Sequence, residues 1–144
     1  AFAQALNYLI QRQGLQIYTS IVLFNDSFLV LKKLSLSKIN TKDIEKIKEG
    51  GGTILSNPVQ YVSKIINSRS DLRHFVFIIT DIELGKEDYK TSLKYIRKFP
   101  YCFVVCIYKE KLPKYKLPNQ ITISVDNIEY LPILLTKQIN KLKL

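Results

Sequence analysis

The run Phe75, Val76, Phe77, Ile78, Ile79, closed by Thr80 and Asp81, is the stretch on which the fold turns. It is apolar at every position until the hydroxyl and the carboxylate that end it. A strand apolar on both faces belongs in a parallel sheet that helices cover on both sides. Residues 74–80 are therefore read as a buried central strand that carries Asp81 at its carboxyl tip.

Downstream, a helix is expected over residues 87–98, stopped by Pro100. Residues 101–108 form a second buried strand, and a loop punctuated by Pro113 and Pro118 leads to a short strand at 121–125 and a closing helix at 128–142. Upstream, Val59, Val62, Ile65 and Ile66 repeat at helical spacing and place a helix just beyond Pro58. Before it, Gly50, Gly51, Gly52 and Thr53 form a tight loop. A short helix at 41–48 takes Thr41 as its cap, with Ile44 and Ile47 as its apolar stripe.

Residues 17–24 and 28–31 read as a hairpin across the turn Asn25, Asp26, Ser27, and Phe2, Ala5, Leu6, Leu9 and Ile10 mark an amphipathic helix ending before Gly14. Alternating strands and helices predict an α/β fold: a Rossmann-like three-layer sandwich. Its sheet would be mostly parallel with one antiparallel edge strand, covered by helices on both faces, with functional loops at the carboxyl ends of the strands.

The chain's 144 residues fit a single domain, and no run of 18 apolar residues suggests a membrane span. Lys plus Arg number 22 against 12 Asp plus Glu, a net charge of +10 that attracts acidic proteins or nucleic acid. Cys102 and Cys106 fall on one face of one strand, where a disulfide between them is sterically disfavoured; unpaired core thiols point to a reducing, cytoplasmic setting. With no Met and a helix-like opening, the chain reads as beginning inside a longer protein.

The loops at the carboxyl ends carry Asn25 and Asp26, residues 50–53, Asp81 with Glu83, Lys109 with Glu110, and Asp126. A hydroxyl on a glycine-flanked loop and a carboxylate at a strand tip suit a hard cation such as Mg²⁺. The phrases Gly51, Gly52, Thr53 and Phe77, Ile78, Ile79, Thr80, Asp81, separated by one helix, resemble the second and third parts of the metal-ion-dependent adhesion site of von Willebrand factor A domains. The first helix followed by Ile21, Val22, Leu23, Phe24, Asn25, Asp26 resembles that family's first helix and second strand.

The resemblance implies one such domain over residues 1–144, with sheet order 3-2-1-4-5-6. Its first strand and D-x-S-x-S motif are expected upstream, and a strand must fill the place of the first in the sheet. It further implies that Thr53 binds Mg²⁺ directly and Asp81 directly or through water, that upstream Asp and Ser residues complete the shell and that the open position takes a carboxylate of an acidic protein partner, with Gly51, Gly52, Asn25, Asp26 and Glu83 at the partner face. Relatives that work with MoxR-type AAA+ ATPases make such an ATPase the implied partner. Ile82 stands where the family commonly has glycine after the aspartate, and Ile54 where an acidic residue often follows the threonine.

Each residue also has a plainer reading. Asp81 caps the helix or turn that follows it, Thr53 is the N-cap of the next helix, and the glycines are a flexible loop. Asp26, Glu83, Glu110 and Asp126 are solvated, and His74 is structural or on the surface. With no nucleophile paired to histidine, the chain is read as an interaction module and not an enzyme. Two alternatives stand beside the cation-dependent adaptor. One is an assembly protein whose metal site has decayed and whose partner docks on apolar and basic surface. The other is a nucleic-acid-binding module using Lys109, Lys111, Lys114 and Lys116 interleaved with Tyr108 and Tyr115, a run that otherwise is simply a solvated loop.

Overall fold

The structure, a computed structural model, describes residues 16–45 and 52–141. The expected first helix, Gly50, Gly51 and the end of the helix at 41–48 lie outside the described residues. The chain forms two compact units, Ala1–Ile54 and Leu55–Leu144.

In the first unit, β1 (Thr19–Phe24) and β2 (Phe28–Ser35) pair antiparallel across the Asn25 to Ser27 turn, with Phe24 opposite Phe28. The turn closes locally: Asn25 Oδ1 accepts from the Ser27 amide at 2.9 Å and from its hydroxyl at 3.1 Å. Strand β2 runs past Leu31, where the expected hairpin ended, because Lys32 is held inside the strand rather than ending it. At the irregular end of the ladder its Nζ donates to Thr19 O at 2.7 Å, Ser35 O at 3.1 Å and Ser35 Oγ at 2.8 Å. Partial burial lowers the Lys32 pKa below its ordinary value.

Lys32→Met keeps the aliphatic stem but deprives those acceptors of their donor. The expected loss is about 1–2 kcal/mol, read by urea unfolding together with hydrogen exchange of the hairpin amides; unchanged protection would show that water replaces the ammonium. The short helix α1 (Thr41–Glu45) is capped by Asn40 and not by Thr41 as expected: Asn40 Oδ1 accepts from Lys42 N at 3.1 Å.

In the second unit, α2 (Ser56–Ser68), β3 (Val76–Thr80), α3 (Lys86–Ile96), β4 (Cys102–Tyr108), β5 (Gln120–Ser124), a 3-10 helix (Val125–Tyr130) and α4 (Leu131–Asn140) follow in order. The strands form a parallel sheet in the order β3-β4-β5, with Val76 beside Cys102 and Val104 beside Gln120. The coarse expectation of an α/β fold with a parallel sheet is met, while the hairpin forms its own two-stranded sheet.

Among the described residues β4 is the middle strand, with Val104, Val105 and Cys106 all but inaccessible; β3 lies at one end of the order, and Ile79 is 45% exposed. The continuous apolar run of β3 reflects pairing as much as burial, since Phe77 stacks on Phe103 and Phe75 on Tyr101 across the strand pair. Among the described residues no helix is long and apolar enough to cross a membrane.

Cys102 and Cys106 are buried and unbridged. Burial pushes the Cys102 thiol up to about 12; burial, and then the nearby Asp81 carboxylate, push Cys106 up to about 11. Above the ordinary thiol value of 9.0 the unfolded chain releases protons that the folded chain retains, so this contribution to stability is lost as pH rises beyond about 9. A thiol-specific disulfide reagent at mildly alkaline pH is expected to modify the native protein no faster than it unfolds; immediate modification would contradict the burial.

Candidate functional site

Asp81 follows β3 directly, and the turn after it is built by side chains. Thr80 Oγ1 accepts from Ile82 N at 3.1 Å, Asp81 Oδ1 accepts from Glu83 N at 3.2 Å, and Leu84 N donates to Ile82 O at 2.8 Å. Cys106 Sγ, from the neighbouring strand, donates to the Asp81 carbonyl at 3.6 Å. The turn-capping reading of Asp81 is thus realised in the geometry, while its carboxylate and that of Glu83 remain exposed.

Ile82 has φ +57°, a left-handed conformation that a β-branched side chain adopts only under strain. Its side chain is 1% exposed, so burial holds it there. The backbone at this position keeps the conformation that glycine adopts easily, although the residue is isoleucine.

In the first unit, Gly52 has φ +78°, and a Cβ added there would sit 3.4 Å from Asp26 Cβ. Ile54 N donates to Asn25 O at 2.6 Å. These contacts fasten the Gly52 to Ile54 segment to the hairpin turn, bringing Asn25, Asp26 and Gly52 together beside a half-buried Thr53. Gly51 lies outside the described residues.

Thr53 does not cap the next helix, contrary to its plainer reading. Helix α2 begins at Ser56, and Asp88 of α3 supplies its cap: the carboxylate accepts from Leu55 N at 2.9 Å and Ser56 N at 2.8 Å. Pro58 falls inside the first turn, where an amide proton is not needed.

A hard divalent cation takes about six oxygen ligands. Among the described residues no three His, Cys, Asp or Glu side chains converge to hold a metal ion, and Thr53 and Asp81 belong to different compact units.

The lysine-bearing segment is the better-built feature. Residues 109–119 connect β4 to β5 without a helix, yet the return path is tied down. Tyr115 stacks on Tyr89 of α3 with centroids 4.4 Å apart, Tyr89 Oη donates to Lys116 O at 3.0 Å, and Lys114 Nζ lies 5.5 Å from the Tyr115 ring. Leu117 is 2% exposed, with its amide donating to Gln120 Oε1 at 2.7 Å. Asn119, at φ +53°, donates from Nδ2 to Cys102 O at 3.2 Å. Above this base Lys109, Glu110, Lys111, Leu112, Lys114 and Lys116 are exposed.

Tyr89 as an anchor and Leu112 as an exposed apolar tip were not singled out from sequence. The alternation Lys114, Tyr115, Lys116, Leu117 carried a usable signal, because every second residue turns inward. His74 has the structural role expected: its Nε2 lies 2.6 Å from Arg69 O. Nearby, Arg73 lies 5.1 Å from the Tyr101 ring centre and 5.8 Å from that of Phe75, and it donates to Tyr101 Oη at 2.9 Å. No family model matches the chain, and no curated protein matches it.

Proposed function

We propose that this chain is a protein-interaction module on a von Willebrand A-like, three-layer scaffold, and that it recruits an acidic protein partner through the lysine segment at 109–116. The observation that carries the reading is that this segment is exposed and basic at its tip but fastened at its base by the Tyr89 and Tyr115 stack and by Leu117. A pre-formed basic surface loses less conformational entropy on binding than a free loop does. The net charge of +10 adds long-range attraction for an acidic partner. The family-like scaffold is supported by the β3-α3-β4 parallel unit with Asp81 at its strand tip and by the left-handed backbone of Ile82 after it.

The test is titration of a short synthetic Glu-rich peptide into the protein. Replacing Lys109, Lys111, Lys114 and Lys116 together by alanine is expected to weaken binding by roughly tenfold or more, and added salt to weaken it further. A single-stranded oligonucleotide binding more tightly than the peptide, with a steeper salt dependence, would overturn the protein-partner reading in favour of nucleic acid.

The exposed Asp81 carboxylate favours a second reading, the cation-dependent route implied by the family resemblance, in which a MoxR-type ATPase is the partner. Peptide affinity that requires Mg²⁺ and is lost in Thr53→Ala and Asp81→Ala would support that route over the lysine segment.

A further inference from the structure

The lysine segment carries an apolar residue where charge alone has no use for one. Leu112 is 69% exposed, preceded by Lys111 and separated from Lys114 by Pro113, and it belongs to the segment that the two tyrosines and Leu117 hold in place. A second apolar set lies at the same edge of the sheet. Tyr108 is opposite Ser124, so the chain leaves β4 and β5 side by side, and the 3-10 helix that follows β5 packs against β4. That helix exposes Val125 at 39% and Ile128 at 45%.

The charges around these residues are mixed. Lys109, Lys111, Lys114 and Lys116 are accompanied by Glu110 on their own segment and by Asp126 and Glu129 on the adjoining helix. The three carboxylates offset much of the pull that the four lysines exert on a uniformly anionic surface such as a lipid bilayer or a nucleic-acid backbone, and a phosphate chain gains nothing from an exposed leucine. A folded segment of limited extent avoids the carboxylates while meeting the lysines.

Resting on the reading proposed above, we infer that the partner of this edge is an acidic amphipathic polypeptide segment, its apolar residues seated on Leu112 and its carboxylates on the flanking lysines. Leu112 is then the apolar anchor, and the lysines set encounter rate and orientation. The chain contains no Trp, so Leu112→Trp places a single indole reporter at the contact on an exposed site that the fold does not need.

The probes are two synthetic peptides with the same number of glutamates, one carrying a Leu and Phe face and the other serine at those positions, together with vesicles of phosphatidylcholine and phosphatidylserine. The apolar-faced peptide is expected to bind the native protein about tenfold more tightly than the serine peptide, a difference that Leu112→Ser abolishes. It alone shifts the Leu112→Trp emission to shorter wavelength. Equal binding of both peptides, unaffected by Leu112→Ser but lost on replacing the lysines, overturns the anchor and leaves the lysine reading standing. Failure of both peptides overturns the two together. A shift produced by the vesicles and by neither peptide assigns the edge to a membrane surface instead.

Discussion

Ile82→Gly is expected to leave the protein more stable than Ile82→Ala, the reverse of the usual order. In ordinary helix or strand positions glycine is the worse of the two by roughly 0.5–1 kcal/mol, because it loses more backbone freedom on folding. At φ +57° alanine bears the left-handed penalty of about 1–2 kcal/mol that glycine escapes. Both variants lose the buried isoleucine side chain, which is 1% exposed, at about 2–5 kcal/mol. The strain relieved in glycine returns part of that, so glycine should exceed alanine by about 1 kcal/mol in urea unfolding. Alanine equal to or better than glycine would show that the turn after Asp81 does not hold residue 82 left-handed.

Much of the scaffold was legible because its signals are local. The apolar runs at β3 and β4, the stop at Pro100 and the Asn25 to Ser27 turn all act within a few residues of themselves, and each element forms within a few residues of its expected place. The misreadings have a common cause: a side chain acting at a distance. Lys32 stays inside β2 because its ammonium closes the hairpin on Thr19 and Ser35. The plainer reading of Thr53 as a cap fails because the cap of α2 comes from Asp88, more than thirty positions away in the chain. An apolar run on both faces suggested a central β3, where aromatic pairing with β4 explains Phe75 and Phe77.

For the candidate site, the order of Gly52, Thr53 and Asp81 along the chain is readable, while the fastening of Gly52 and Ile54 to the hairpin turn is a tertiary property that spacing does not encode. Nothing in the residue type marked Ile82 as left-handed, since β-branched side chains argue against it. The exposure of Leu112 likewise depends on how Tyr89 and Tyr115 fasten the segment, and so emerges only once the helix and the loop are packed together.

Asp88→Ala is expected to destabilise the second unit by about 2–3 kcal/mol, the other large effect. The carboxylate accepts two amide protons at the start of α2, at 2.9 and 2.8 Å, from a half-buried position in the first turn of α3. Leu55 is 1% exposed and has no side-chain oxygen, so α2 has no local capping alternative. Removing a capping oxygen typically costs about 0.5–2 kcal/mol, and hydrogen bonds to a charged acceptor lie toward the upper end of the usual range. Asp88→Asn retains one acceptor oxygen but turns an amide group toward the other N–H, so it should fall between aspartate and alanine.

Glu87 is the internal control, being adjacent in sequence and paired only loosely with Lys90, at 3.4 Å on the exposed face. Glu87→Ala should change stability by less than about 0.5 kcal/mol. Chemical denaturation of the three variants separates the cases, and equal effects of Asp88→Ala and Glu87→Ala would mean that water caps α2 as well as Asp88 does. Because Asp88 lies in the first turn of the helix that also carries Tyr89, fraying at this junction should loosen the ring on which Tyr115 stacks. Asp88→Ala is therefore expected to weaken binding of the Glu-rich peptide although Asp88 itself carries the wrong charge to touch it.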